Sequence, residues 1–393
     1  MKKVVLVGGV RTAIGSFGGS LKDKTPSDLG AVVTKEVIRR SGLSPENIDE
    51  VIFGCVGQIG EDAYIARTSA IKAGLPKEVT ALSVNRLCAS GLQSIISGVM
   101  TIQTGMADVV VAGGVECMSR LPFLDYYRRW GHKSGAVQID DSLNVILSDP
   151  FHKYAMGVTA ENLVEKYRIS REEQDQFAYE SQRKAIAAID RGAFKEQIVP
   201  VEINVGKGKT AIFDTDEYPR RDTTVEKLST LKPVFKAGGT VTAGNSSGIN
   251  DGASAVLLMS EDAASKNGVK PILSVRSFAF SGVEPEIMGI GPIPAVRKAL
   301  QLAGLTMDDI GLIESNEAFA VQCLVVMKEL GMPKEIVNVN GGAIALGHPV
   351  GATGNILTVK LMYEMLNRDV KYGLVTLCIG GGQGCAVIFE KEC

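Results

Sequence analysis

Two residue types are scarce enough in this chain to weigh one by one as agents of chemistry: cysteine, with seven copies, and histidine, with three. The cysteines, at 55, 88, 117, 323, 378, 385 and 393, form no CxxC pair and no framework. That is the usage of free thiols in a reducing compartment. Cys88 lies in "VNRLCASGLQSIISGVM" (84–100), where an extended stretch up to Val84 gives way to a helical stripe of Leu92, Ile95, Ile96 and Val99. Its thiol therefore falls near a helix N-terminus, where unpaired N–H groups and the helix dipole favour an anion and ease loss of the proton. The competing reading is a buried cysteine acting as a small apolar residue.

Three further stretches carry chemical groups. His348 sits in "NGGAIALGHPVGATG", too glycine-rich and apolar for an ordinary exposed loop; glycines there allow close backbone approach or positive φ. It has no GK[ST] ending and is not a phosphate loop. Cys378, in "TLCIGGGQGCAVIFE", ends an apolar strand, and the glycines after it can offer N–H groups to an oxyanion. "LIESNEAFA" breaks an apolar run with Glu314, Ser315, Asn316 and Glu317, and a strand that ends in polar side chains at a sheet edge is a ligand position in α/β proteins. Each stretch also has a plain structural reading as turn, cap or salt bridge. No Cys or His pair has metal-ligand spacing, and GxGxxG is absent, so neither a metal centre nor a dinucleotide fold is supported.

The elements that position these groups occur twice. "EVIRRSGLSPENIDEVIFG" (36–54) and "KALQLAGLTMDDIGLIESN" (298–316) are each a striped helix closed by a glycine, a Ser or Thr cap, and a strand. "SVNRLCASG" (83–91) matches "NVNGGAIALG" (338–347), "ADVVVAGGVE" (107–116) matches "YGLVTLCIGGG" (372–382), and "GASAVLLMSED" (252–262) matches "GCAVIFEKE" (384–392). This is a duplicated α/β unit. Only the first half carries an insertion, from about 120 to 245. We expect a subdomain there, with a helix capped by Ser170 and Glu173 and stopped at Gly192, and a hairpin turning at Gly206 and Gly208. Its charged stretch, Arg220 to Lys236, reads by itself as a solvated face.

Composition sets the outer limits. A chain of 393 residues, 45% hydrophobic, suits two or three packed units. A net charge of −2 implies no general attraction to nucleic acid or anionic membrane. The apolar run Val4–Val10 is cut by Arg11 and reads as a buried first strand rather than a signal peptide. No stretch approaches the roughly 20 apolar residues of a membrane span, so a cytoplasmic protein is expected.

Taken together, "VRTAIGSFGG", "CASG", "AGGVECMSR", "GTVTAGNSSGINDGA", "ESNEAFA", "GGAIALGHPVGATG" and "CIGGGQG" resemble the thiolase family over the whole chain. The resemblance implies an α/β fold of two duplicated βαβαβαββ-type halves in a layered αβαβα core. The halves would be 1–119 with 246–269 and 270–393, and 120–245 would be an inserted loop domain that binds coenzyme A. It implies the biosynthetic branch: Claisen condensation of two acetyl-CoA to acetoacetyl-CoA and CoA, or the reverse. The alternative is a degradative thiolase of longer 3-ketoacyl chains. Carried over by motif, Cys88 is the acylated nucleophile, His348 takes its proton, and Cys378 is the acid/base at the substrate α-carbon. Asn316 holds a water that forms one oxyanion hole with His348, and the N–H groups of Cys88 and Gly380 form the other. Arg220, Leu231, Phe235, Ala243, Ser247, Met156 and Phe319 contact coenzyme A, with Met288 beside the acyl group. CoA thioesters are then substrates, no cofactor or metal is required, and a homotetramer is implied. Ala89, Ala155 and Cys117 depart from the family's usual Gly, His and Asn.

Overall fold

Residues 2–392 are described by the computed structural model; Met1 and Cys393 lie outside the described residues. The strands that build the site are β1 (Val4–Thr12), β2 (Glu50–Gly54), β3 (Thr80–Val84), β4 (Val109–Cys117), β5 (Asn250–Ser260), β6 (Leu273–Gly282), β7 (Leu312–Ser315), β8 (Tyr372–Ile379) and β9 (Gln383–Lys391). They lie side by side in the order β7-β8-β9-β6-β1-β5-β4-β2-β3. In the first half β4 is parallel to β2 and antiparallel to β5, which is antiparallel to β1. In the second half β8 is parallel to β7 and antiparallel to β9, which is antiparallel to β6. The halves join where β1 and β6 pair through Val5–Ser274 and Leu6–Leu273. The same order and the same senses occur on both sides of that seam, as the internal repeat requires.

The main helices are α1 (Pro26–Ser41), α2 (Ile65–Lys72), α3 (Ser90–Gln103), α4 (Ser142–Ile146), α5 (Met156–Tyr167), α6 (Arg171–Asp190), α7 (Pro292–Ala303), α8 (Ala320–Leu330) and α9 (Val350–Arg368), with shorter ones at Val225–Ser229, Glu261–Lys266 and Ala343–Leu346. Three apolar cores separate the layers. Leu29, Val33 and Val37 of α1 pack on Val51, Phe53 and Val111. Leu92, Ile95, Ile96 and Val99 of α3, with Leu357 and Leu361 of α9, fill the middle between Val110 and Leu258 on one side and Val375 and Val387 on the other. Ile293 and Val296 of α7 and Val321 of α8 cover Ile313, Leu374 and Ile388. The alternation Val110 inward, Val111 outward is the two-residue period of a strand covered on both faces. Each such side chain contributes roughly 1.5–3 kcal/mol when fully buried. The result is the αβαβα layering. Among the described residues no helix is long and apolar enough to cross a membrane.

Helix punctuation matches between the halves. α1 and α7 end at left-handed Gly42 (φ 76) and Gly304 (φ 69). Reciprocal capping boxes at Ser44 and Thr306 then start the single turns that lead into β2 and β7. The halves part company next. The counterpart of β3 is one parallel bridge, Ile313–Val337. Asn338 follows at φ 44, and its side-chain amide takes over the pairing, accepting from Ser315 N at 2.9 Å and donating to Ser315 O at 2.9 Å.

The segment 120–245 is bonded to both halves, to the second through Ser181–Glu317 and Arg191–Asn340. Its Ile198–Val199 pairs with Arg11–Thr12 of β1. The fully buried Arg11 guanidinium meets Asp216 at 2.7 Å and Gln197 at 2.7 Å. A buried charge needs such a partner, so the segment is fastened to the first strand. α6 carries the expected Ser170–Glu173 box, and the hairpin Val201–Asn204/Thr210–Phe213 turns at Gly206 and Gly208.

Candidate active site

The site is made where the two central helices begin. Ala89 is the N-cap of α3 and Pro349 the N-cap of α9, so Cys88 and His348 stand at the same position relative to their helices. The helices approach through glycine. A Cβ on Gly91 would lie 2.8 Å from Asn355 N, and one on Gly354 would lie 2.5 Å from Leu92 N. A Cβ on Gly114 would overlap the Gly351 carbonyl, and one on Gly54 would overlap the backbone of Ser90. Only residues without a side chain let the two helix starts come this close. Glu116 ties the arrangement from behind: its buried carboxylate accepts from Val56 N at 3.0 Å, Gly57 N at 2.9 Å and Gly351 N at 2.8 Å.

Cys88 follows Leu87, which takes φ 44, so the chain turns sharply at the nucleophile. The N–H groups of Gly380 and of Cys88 itself point at its sulfur and favour the thiolate. Burial outweighs them and pushes the thiol up to about 11. The helix start thus supplies donors, but the thiol is protonated at rest, contrary to the expectation of an easily lost proton. A Cβ on Gly380 would sit 2.6 Å from Met156 Cε and 3.0 Å from Leu87 Cδ1, so a side chain there would displace the ends of both. Cys378, at the end of β8, is fully buried, whereas Cys88 is only partly so; desolvation first, and then the charge of Cys88, hold the Cys378 thiol well above the ordinary value.

His348 is fixed at both ends. Its backbone N–H donates to Asn250 Oδ1 at 2.9 Å, and its Nδ1 lies 2.6 Å from Thr353 Oγ1. Its Nε2 lies 3.5 Å from Asn316 Nδ2. Burial lowers the imidazole to about 4, so it is neutral at pH 7 and able to take a proton. Asn316 stands just past β7; its N–H donates to Thr376 O of β8 at 3.0 Å, and its carbonyl accepts from Cys323 Sγ at 3.4 Å. Its buried Oδ1 has no protein partner.

A cavity of about 780 Å³ opens beside His348. Met156, Arg220, Phe235, Ala243, Ser247 and Phe319 line it, six of the eight side chains expected to contact coenzyme A. Phe235 and Phe319 meet edge to face with centroids 6.1 Å apart. Leu231 lines a smaller adjoining pocket with Arg220 and Ala243. Met288, expected beside the acyl group, is 3% exposed and packs in the outer core with Phe319 instead of lining the cavity. Cys88 packs on the cluster that holds Val350 and Met118, two residues of the cavity wall. Among the described residues no three His, Cys, Asp or Glu converge as metal ligands.

Residues 4–262 match the family described as "Thiolase, N-terminal domain", and residues 269–391 match "Thiolase, C-terminal domain". The chain belongs to the thiolase family. It is 52% identical over 394 residues to the acetyl-CoA acetyltransferase of Syntrophomonas wolfei, covering 99% of each chain. It is 50% identical to the beta-ketothiolase BktB of Cupriavidus necator, again over 99% of each. Among solved structures, the acetyl-CoA acetyltransferase of Bacillus anthracis superposes with a TM-score of 0.98 at 47% identity, over 100% of this chain and 99% of that one. Human mitochondrial 3-ketoacyl-CoA thiolase superposes with a TM-score of 0.96 at 46% identity, over 100% and 99%. This thiolase is therefore an acyltransferase.

Several thiolase site residues escaped sequence reasoning. Glu116 lies in the quoted "AGGVECMSR" and Asn250 in "GTVTAGNSSGINDGA", yet only their hydrogen bonds disclose that they hold the start of α9. Phe17, Asn144 and Tyr218 line the cavity from segments far apart in sequence, with no local pattern to mark them.

Proposed function

We propose that this thiolase is an acetyl-CoA C-acetyltransferase, condensing two acetyl-CoA to acetoacetyl-CoA and CoA and running the reverse thiolysis. The observation that carries this reading is a neutral imidazole, His348, on the wall of a cavity of about 780 Å³, with the Cys88 thiol packed against that wall and near enough to Cys378 to raise its thiol. In thiolysis His348 takes the Cys88 proton as sulfur attacks the 3-keto carbon, and the Cys88 and Gly380 N–H groups receive the oxyanion. The C2–C3 bond then breaks. The enolate oxygen of the departing acetyl-CoA faces protonated His348 and a water held by Asn316 Oδ1, while Cys378 protonates the carbon. Acetyl-Cys88 passes its acetyl group to the thiol of the incoming CoA. Arg220 would meet the nucleotide end, and Met156, Phe235, Ala243, Ser247 and Phe319 the pantetheine arm, with Leu231 flanking the adenosine end. Residues 120–245 would form the CoA-binding loop domain between halves 1–119 with 246–269 and 270–393. Exposed Phe123, Tyr126 and Trp130 support a homotetramer, and bacterial relatives support a cytoplasmic location.

The degradative alternative has one observation in its favour. Ala155 lines the cavity with apolar Leu147, Met118 and Val350, leaving room near the acyl end. Thiolysis of C4 against C8 3-ketoacyl-CoA separates the two, and kcat/KM highest at C4 is expected. A preference for C8 would overturn the biosynthetic reading. Hydrolysis of acetyl-CoA at the rate of thiolysis would overturn both in favour of a cysteine hydrolase.

A further inference from the structure

The reaction needs one nitrogen of His348 to exchange protons and the other to stay protonated throughout. Thr353, at the first turn of α9, decides which is which. Its Oγ1 lies 2.9 Å from Pro349 O and 2.6 Å from His348 Nδ1. A hydroxyl has one proton to give and can accept as well. Pro349 O also accepts from the Ala352 and Thr353 N–H groups, and the back-bond of the hydroxyl to this carbonyl leaves an Oγ1 lone pair to accept from Nδ1–H. On the other side of the ring, Asn316 presents Nδ2, a donor, 3.5 Å from Nε2. Both neighbours thus favour the same tautomer, with hydrogen on Nδ1 and a lone pair on Nε2.

We propose that Thr353 is a positioning residue that holds His348 in the Nδ1–H tautomer, leaving Nε2 as the only nitrogen that gains and loses a proton. This rests on the acyl-transfer reading above and adds a proton path to it. The Cys88 S–H bond breaks and its proton lands on Nε2, while the sulfur's electron pair forms the new C–S bond. Protonated Nε2 then faces Asn316, where the enolate oxygen needs a donor. Nδ1–H stays bonded to Oγ1 in the neutral and the charged ring alike. Asn250 fixes the backbone of His348, and a Cβ on Gly347 (φ 106) would lie 2.5 Å from Asn250 Cγ, so ring rotation is the one freedom left for Thr353 to restrain.

With only three histidines in the chain, ¹⁵N-histidine NMR of the resting enzyme reads the tautomer directly, the His348 signals being assigned by their loss in His348→Asn. The expected result is a neutral ring with hydrogen on Nδ1 in the wild type and in Thr353→Ser, and a shift toward hydrogen on Nε2 in Thr353→Val. Thiolysis should fall by about 10²–10⁴-fold in Thr353→Val, the range for general-base loss, with kcat affected more than KM, and stay within about 10-fold in Thr353→Ser. A wild-type ring carrying its hydrogen on Nε2 overturns the proposal even if Thr353→Val fails to fold. Equal loss in the Ser and Val variants also overturns it. The resting tautomer is read without substrate, so its result stands apart from whether the protein proves to be an acetyltransferase.

Discussion

In the first half, β3 is fully paired with β2 and leads through Asn85 and a single turn at Leu87 to Cys88 and α3. In the second half the same stretch makes one bridge at Val337, turns at Asn338 and Gly341, and adds the short helix Ala343–Leu346 before reaching His348 and α9. The repeat aligns Gly54 with Asn316, and these two positions show what the difference does. α3 sits so tightly on the end of β2 that position 54 has no room for a Cβ. The longer path of the second half leaves that room, and Asn316 fills it with a side chain facing His348. One half is compressed to present a nucleophile with its own N–H groups. The other is extended to present a base and a second polar group.

Breaking the compressed half at its nucleophile should have the largest effect. Cys88→Ser is expected to lower thiolysis of acetoacetyl-CoA on the order of 10⁴-fold or more, followed as loss of 3-ketoacyl-CoA absorbance. Loss of the base in His348→Asn should cost about 10²–10⁴-fold. In the extended half, Asn316→Ala should cost about 10²–10³ in kcat, as for one oxyanion donor, with little change in thermal stability. Its counterpart should behave oppositely. Gly54→Ala overpacks the start of α3 and should lower stability by about 1–3 kcal/mol, read by denaturant unfolding. Equal stability losses at positions 54 and 316 would erase the distinction between the halves.

The smallest effect is expected from mild acid. An ordinary imidazole would be half protonated near pH 6.5 and useless as a base below it. Burial holds His348 neutral down to about 4, so its contribution to kcat/KM should persist as pH falls from 7 to 5.5 and vanish only near 4. A steep loss of kcat/KM centred on 6.5 would contradict that direction.

Much of this was legible in the chain. Cys88, His348, Cys378, Asn316 and Gly380 each sit in a short motif that is open when taken alone and is given its role by the resemblance of all the motifs together to thiolases, while glycine stops with Ser or Thr caps marked the repeat. What stayed hidden depends on packing. A helix start argued for an acidic thiol at Cys88, but desolvation, which no local pattern records, wins. Met288 is buried in the outer core with Leu163 and Phe319, a placement that depends on contacts between segments far apart in sequence. The direction of the Thr353 proton needs three atoms placed in space. The bond that fastens the insertion to the first strand joins Asp216 to Arg11, 205 residues apart, and no local pattern could show it.

The division of labour between Cys88 and Cys378 is tested most directly by trapping the acyl enzyme. Wild type, His348→Asn and Cys378→Ala would be mixed with acetyl-CoA, quenched and peptide-mapped by mass spectrometry, and each assayed for acetoacetyl-CoA cleavage. The account predicts acetyl on Cys88 in wild type and Cys378→Ala, a much slower build-up in His348→Asn, and carbon–carbon cleavage only in wild type. Acetyl on another residue, or full cleavage by Cys378→Ala, would contradict it.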